Sequence, residues 1–155
     1  MLSAPGAAVV SVTRGEPSGT LLRGFTNRDG NPGIAVSESA PTIVGNVIEA
    51  NLVGIDSFGA SVVAMENIIR DNAADGYTGA AGLLRDNEIA NNGGRGIATG
   101  SGILERNRIH DNRGGGIDVR GGAGLRIQHN LIVRNRAREG AGVRDGRRRA
   151  RLRHT

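Results

Sequence analysis

Apolar residues recur along this chain at fixed distances from asparagine. The pattern Asn-x-apolar-x-x-Asn occurs five times, as "NVIEAN" from Asn46, "NIIRDN" from Asn67, "NEIANN" from Asn87, "NRIHDN" from Asn107 and "NLIVRN" from Asn130, at intervals of 21, 20, 20 and 23 residues. Three positions before each first asparagine stand Ile43, Ala64, Leu84, Leu104 and Ile127. Two positions after it stand Ile48, Ile69, Ile89, Ile109 and Ile132, while their neighbours vary. A glycine followed by an apolar or aromatic residue completes each unit: Gly54-Ile55, Gly76-Tyr77, Gly96-Ile97, Gly116-Ile117 and, later in its unit, Gly142-Val143. Gly33-Ile34 extends the series backward, which gives about six turns. Such placement predicts short strands with one face inward, because a helix needs a sustained i, i+3, i+4 stripe that the glycines interrupt in every unit.

A unit of about 20 residues cannot bury its own inward face. Stacking units at the parallel-strand spacing of about 4.8 Å places each isoleucine on its equivalent and makes one continuous narrow core. The expected fold is therefore an all-β parallel solenoid of about six short coils. Asparagine suits its corners because it tolerates the left-handed region and its side-chain amide can donate to the equivalent amide of the next coil. Two ladders are expected: Asn46, Asn67, Asn87, Asn107, Asn130, and Asn51, Asn72, Asn92, Asn112, Asn135. Glycines such as Gly96 and Gly116 are expected to supply backbone angles that other residues resist. "LLRDNEI" and "ILERNRI" also fit the rhythm of leucine-rich repeats, but two asparagines and a glycine-rich limb in each unit argue against that architecture.

The units Asn87 to Arg106 and Asn107 to His129, together with "TLLRGFTNRDGNPGIAV" from Thr20 to Val36, resemble the right-handed parallel β-helix repeats of the pectate-lyase-like superfamily. The resemblance covers residues 20–143 and implies a right-handed β-helix. It also implies a place among polysaccharide lyases, hydrolases, C5-epimerases, phage tailspikes and many proteins of unassigned role, with an extracellular or periplasmic location. Three segments are expected: 1–19 as a partial coil or cap, 20–143 as the repeats, and 144–155 as a disordered arginine-rich tail.

Composition sharpens this picture. The chain has 26 glycines and only Phe25, Phe58 and Tyr77 as aromatics, so burial must come from Ile, Leu and Val on closely approaching backbones. All 20 basic residues are arginine, which with the Ala and Gly excess suggests a GC-rich bacterial genome. The net charge of +5 sits in residues 144–155, with six arginines against Asp145; residues 1–143 carry fourteen arginines against fourteen acidic residues. The only activity expected of that tail is a nonspecific attraction to polyanions. No 18-residue apolar run is present to span a membrane, and "MLSAPGAAVVSV" lacks the charged start and the apolar run of a signal peptide. The absence of cysteine removes disulfides and thiolate metal sites.

Stacked coils turn sequence offsets into surface columns. One outward column reads Val47, Ile68, Glu88, Arg108, Leu131; a second Glu49, Arg70, Ala90, His110, Val133; a third Ala50, Asp71, Asn91, Asp111, Arg134. Arg70, Glu88, Arg108, His110 and Asp111 are the candidate residues for binding an acidic sugar chain. In a lyase or epimerase Arg108 would hold the uronate carboxylate and His110 would abstract the neighbouring proton, with Asp111 beside it. The competing expectation is that Glu88 faces Arg108 and Glu49 faces Arg70 as cross-rung ion pairs, each contributing about 0.2–1 kcal/mol. His110, His129 and His154 fall on different offsets, and Asp56, Asp75, Asp86 and Asp118 form no calcium-type loop, so neither metal nor cofactor is expected. "GGRGIATGSG" repeats with the coil and opens no helix, which removes a dinucleotide reading. The expected function is thus an acidic-polysaccharide-binding or structural β-helix, with a polysaccharide lyase or C5-epimerase, alone or as a fragment of a larger enzyme, as the alternative.

Overall fold

The chain winds as three short strands per coil, each lying parallel on its equivalent in the next; the computed structural model describes residues 1–121, 124–138 and 140–145. One face is a seven-stranded sheet of β1 (Leu2–Ser3), β4 (Thr26–Arg28), β7 (Val47–Glu49), β9 (Ile68–Arg70), β11 (Glu88–Ala90), β14 (Arg108–His110) and β17 (Leu131–Val133), stacked in that order. A second face stacks β2 (Val10–Val12), β5 (Ile34–Ser37), β8 (Ile55–Met65), β10 (Tyr77–Arg85), β12 (Ile97–Thr99), β15 (Ile117–Val119) and β18 (Val143–Asp145). The third holds β3 (Leu21–Arg23), β6 (Thr42–Val44), β13 (Ile103–Glu105) and β16 (Arg126–Gln128). The long strands β8 and β10 turn the corner and serve both of these faces: Ile55 to Phe58 pair with β5, and Val63 to Met65 with β6.

Register follows the apolar columns. Ile48, Ile69, Ile89, Ile109 and Ile132 lie opposite one another, as do Ile43, Ala64, Leu84, Leu104 and Ile127. Ile34, Ile55, Tyr77, Ile97, Ile117 and Val143 form the third file. A one-residue slip would turn every isoleucine outward, at about 1.5–3 kcal/mol for each, so the period-2 pattern enforces the stack. The files open at the last coil, where Ile127 is 37% and Val143 47% exposed because no described strand lies above them.

Both asparagine ladders are formed, and their geometry repeats. In each, the backbone N–H and Nδ2 of one asparagine donate to Oδ1 of the next: Asn67 to Asn87 at 3.0 and 3.0 Å, Asn92 to Asn112 at 3.1 and 2.8 Å. The remaining Nδ2 hydrogen goes to a backbone carbonyl of the preceding coil, Ile69 in the case of Asn92.

Two expectations about the corners need correction. The ladder asparagines are not the left-handed residues; that conformation falls on the residue before each, as in Glu66, Asp71, Asp86, Asn91, Arg106 and Asp111, with φ of 52–57°. An asparagine must keep both donors aimed along the stack, so the bend is made one position earlier. Nor do Gly96 and Gly116 supply unusual angles, since neither has positive φ. A Cβ on Gly96 would lie 2.6 Å from Ile109 Cγ2 and 2.8 Å from the Gly116 oxygen, so the demand there is for close approach.

Residues 1–19 contribute β1 and β2, which pair with β4 and β5. Arg144 and Asp145, placed in the expected tail, belong to β18, while the rest of that tail, from residue 146, lies outside the described residues. The departure is local, since both residues continue the second face by pairing with Asp118 and Val119. Among the described residues no helix is long and apolar enough to cross a membrane.

Candidate functional site

In the seven-stranded sheet the residues flanking each buried isoleucine point outward. Glu88 therefore lies opposite Arg108, and Ala90 between Arg70 and His110. The left-handed residues after these strands, Asp71, Asn91, Asp111 and Arg134, extend the same face by one column.

His110 belongs to this outward column, yet its side chain is only 9% exposed. Nδ1 lies 2.6 Å from Asp111 Oδ2, and Nε2 lies 3.0 Å from Glu88 Oε1. Neutral imidazole carries one N–H and can donate to one of these carboxylates; imidazolium can donate to both. From the next coil Arg134 closes a fork on Asp111, Nε to Oδ1 at 2.9 Å and Nη2 to Oδ2 at 2.7 Å.

That fork, and then the His110 contact, hold the Asp111 carboxyl well below the usual carboxylate range. A carboxyl whose folded-state value is depressed adds stability above its unfolded value of about 3.9, and this is lost as pH falls toward the folded value. The wild type is therefore expected to lose melting midpoint faster than Asp111→Asn as pH drops below about 4. Thermal melts from pH 7 down to pH 3 check this, and parallel curves for the two proteins would contradict it.

Arg70 is engaged elsewhere. Its Nε and Nη2 lie 3.0 and 2.9 Å from Glu49 Oε2, so the expected pair between Glu49 and Arg70 is made. The other expected pair is loose: Arg108 Nη1 is 3.9 Å from Glu88 Oε1 with its side chain 55% exposed, because Glu88 turns to His110. A shallow cavity of about 100 Å³ runs between Ile68, Arg70, Glu88, Ala90, Asn91 and His110. The structure thus gathers Glu88, His110 and Asp111 into one cluster, leaves Arg108 at its rim, and adds Arg134 to it.

Sequence reasoning missed two further groups. On the second face Arg95 Nε lies 3.1 Å from Asp118 Oδ2 and Nη1 3.4 Å from Asp75 Oδ2, while Arg120 reaches the same two carboxylates at 3.5 Å each. Their signal was the residue just before Gly76 and Gly96 and the one just after Ile117, offsets compared only for the asparagine strands. Arg113 and Arg136 form the second group, each directly following the second asparagine of its unit. Among the described residues, no group of three or more His, Asp or Glu side chains could hold a metal ion.

A family model described as a right handed beta helix region matches residues 15–153. Comparison with curated proteins and with solved structures gave no match.

Proposed function

The chain belongs to the right-handed β-helix family, and on that premise we propose that it is a non-catalytic repeat module that binds acidic polysaccharide along the seven-stranded face. Arg70, Glu88, Arg108, His110 and Asp111 are the contact residues. The observation that carries this reading is the engagement of both His110 nitrogens by carboxylates. A general base needs a lone pair within hydrogen-bond reach of the proton it takes, and His110 is nearly buried with neither nitrogen turned to solvent. Arg108, loosely held and more than half exposed, supplies the cation for a uronate carboxylate. A flat parallel sheet accommodates an extended sugar chain across successive rungs. With no deep pocket or aromatic platform on this face among the described residues, and with exposed charges screened by salt, the affinity is millimolar rather than micromolar.

Chemical-shift mapping with uronic-acid oligomers is the test. Shifts are expected to cluster on Arg70, Glu88, Arg108 and His110 and to weaken several-fold in Arg108→Ala, with no unsaturated uronate formed. Shifts on another face, or binding indifferent to Arg108, would discard the site. Formation of unsaturated product would move the reading to a lyase in which His110 leaves its carboxylates.

A further inference from the structure

We propose that Arg113, Arg136 and Asn91 form a second site, for a tetrahedral oxyanion carried as a phosphate monoester or a sulfate ester. Arg113 N–H donates to the Asn92 oxygen at 2.9 Å and Arg136 N–H to the Asn112 oxygen at 2.8 Å, which places the two arginines at the same offset on adjacent rungs. Both side chains are exposed, and neither has an ion-pair partner among the described residues. The other arginines divide: Arg70, Arg95, Arg106 and Arg134 each sit beside a carboxylate, whereas Arg14, Arg23 and Arg126 have no ion-pair partner among the described residues. What sets Arg113 and Arg136 apart is their stacking: like charges one rung apart oppose folding, and an oxyanion held between them would relieve that repulsion.

The pair lines a cavity of about 240 Å³ together with Asn91 and Asp111. That is below the ~300–1,000 Å³ that encloses a drug-sized ligand, so the cavity suits one charged group rather than a whole molecule. Asn91 adds an exposed amide with no partner among the described residues. Asp111 does not oppose an anion as a free carboxylate would, because Arg134 already forks onto it. Two guanidinium forks from successive rungs carry two positive charges and many donors. A carboxylate saturates one such fork, whereas a tetrahedral oxyanion offers oxygens to both.

The site shares none of the polysaccharide-binding arginines, and inorganic probes test it independently of that reading. Arginine Nε–H and asparagine side-chain signals are followed while sodium sulfate or sodium phosphate replaces sodium chloride at constant ionic strength. Saturating shifts are expected at Arg113, Arg136 and Asn91, with Kd raised about tenfold, equivalent to roughly 1.4 kcal/mol, in Arg113→Gln and in Arg136→Gln and unchanged in Arg126→Gln. Phosphate binding that strengthens from pH 5 to pH 8, as the dianion replaces the monoanion, assigns a phosphate monoester, which gains its second charge over the same range; sulfate binding as tight as phosphate at both pH values assigns a sulfate ester. Shifts that never saturate, that appear equally on Arg23 and Arg126, or that survive both Arg→Gln changes overturn the site.

Discussion

Replacing Asn92 by alanine is expected to destabilise the fold by about 3–5 kcal/mol and to lower the melting midpoint by on the order of 10 °C. Asn92 is fully buried. Its Oδ1 accepts from the backbone N–H of Asn72 at 3.1 Å and from Asn72 Nδ2 at 2.9 Å, while its own Nδ2 serves Asn112 Oδ1 at 2.8 Å and the Ile69 oxygen at 3.3 Å. Alanine removes all four bonds. It strands two donors of Asn72 and one carbonyl where water does not reach, and each orphaned buried group costs about 1–3 kcal/mol. Asn112→Ala should behave alike, since Asn112 is equally buried in the same file. Melts followed by far-ultraviolet circular dichroism measure both; an unchanged midpoint in the two variants would mean that the ladders carry no stability.

Gly96→Ala is the second large effect, about 3 kcal/mol of destabilisation from one added methyl group. The new Cβ would meet Ile109 Cγ2 at 2.6 Å, the Gly116 oxygen at 2.8 Å and Asn112 Nδ2 at 3.0 Å. Two of these neighbours are held in place, one as backbone and the other as a ladder rung, so relief requires the coils to separate. Gly19→Ala is the control: no atom lies within 4 Å of its Cβ position and its φ is not positive. There the smaller entropy of the unfolded chain should leave stability unchanged or raise it by up to about 1 kcal/mol. Equal midpoints for the two variants would remove close approach as the reason for glycine at position 96.

The coil was legible because burial and hydrogen bonding both act at the repeat distance. Ile48, Ile69, Ile89 and Ile109 share an offset because each needs the same neighbour above and below, and Asn67 and Asn87 share one because each is the other's acceptor. The left-handed corners were not legible. Glu66, Asp71 and Arg106 are poor advertisements for positive φ, and they hold it only because the asparagine that follows is fixed on both sides. Glycine's role at position 96 was misread for a related reason: the sequence shows that a small residue is required, not whether angle or space requires it. The site was half legible. Column arithmetic places Glu88 beside both Arg108 and His110, but long flexible side chains choose among partners in reach, and Glu88 chose the imidazole. Arg134 was in the right column yet unassigned, because its fork on Asp111 depends on side-chain direction rather than offset.

The two asparagine files have a direction. Each rung before the last donates its backbone N–H and one Nδ2 hydrogen to the amide oxygen of the later coil, so these amide dipoles add head to tail, as peptide dipoles do in an α-helix, in a molecule whose described residues form no helix. At the start the files are closed off, because Asn46 Oδ1 accepts from the Phe25 N–H and Asn51 Oδ1 from the Gly30 N–H. At the far end the backbone N–H groups of Asn130 and Asn135 find no acceptor among the described residues, while Asn130 Nδ2 donates to the Leu104 and Gln128 oxygens and Asn135 Nδ2 to the Ile109 oxygen. Along its axis the stack is therefore electrically polar: its negative pole is capped, and among the described residues its positive pole ends in two backbone N–H groups, so a further rung would continue the files there by offering an amide oxygen.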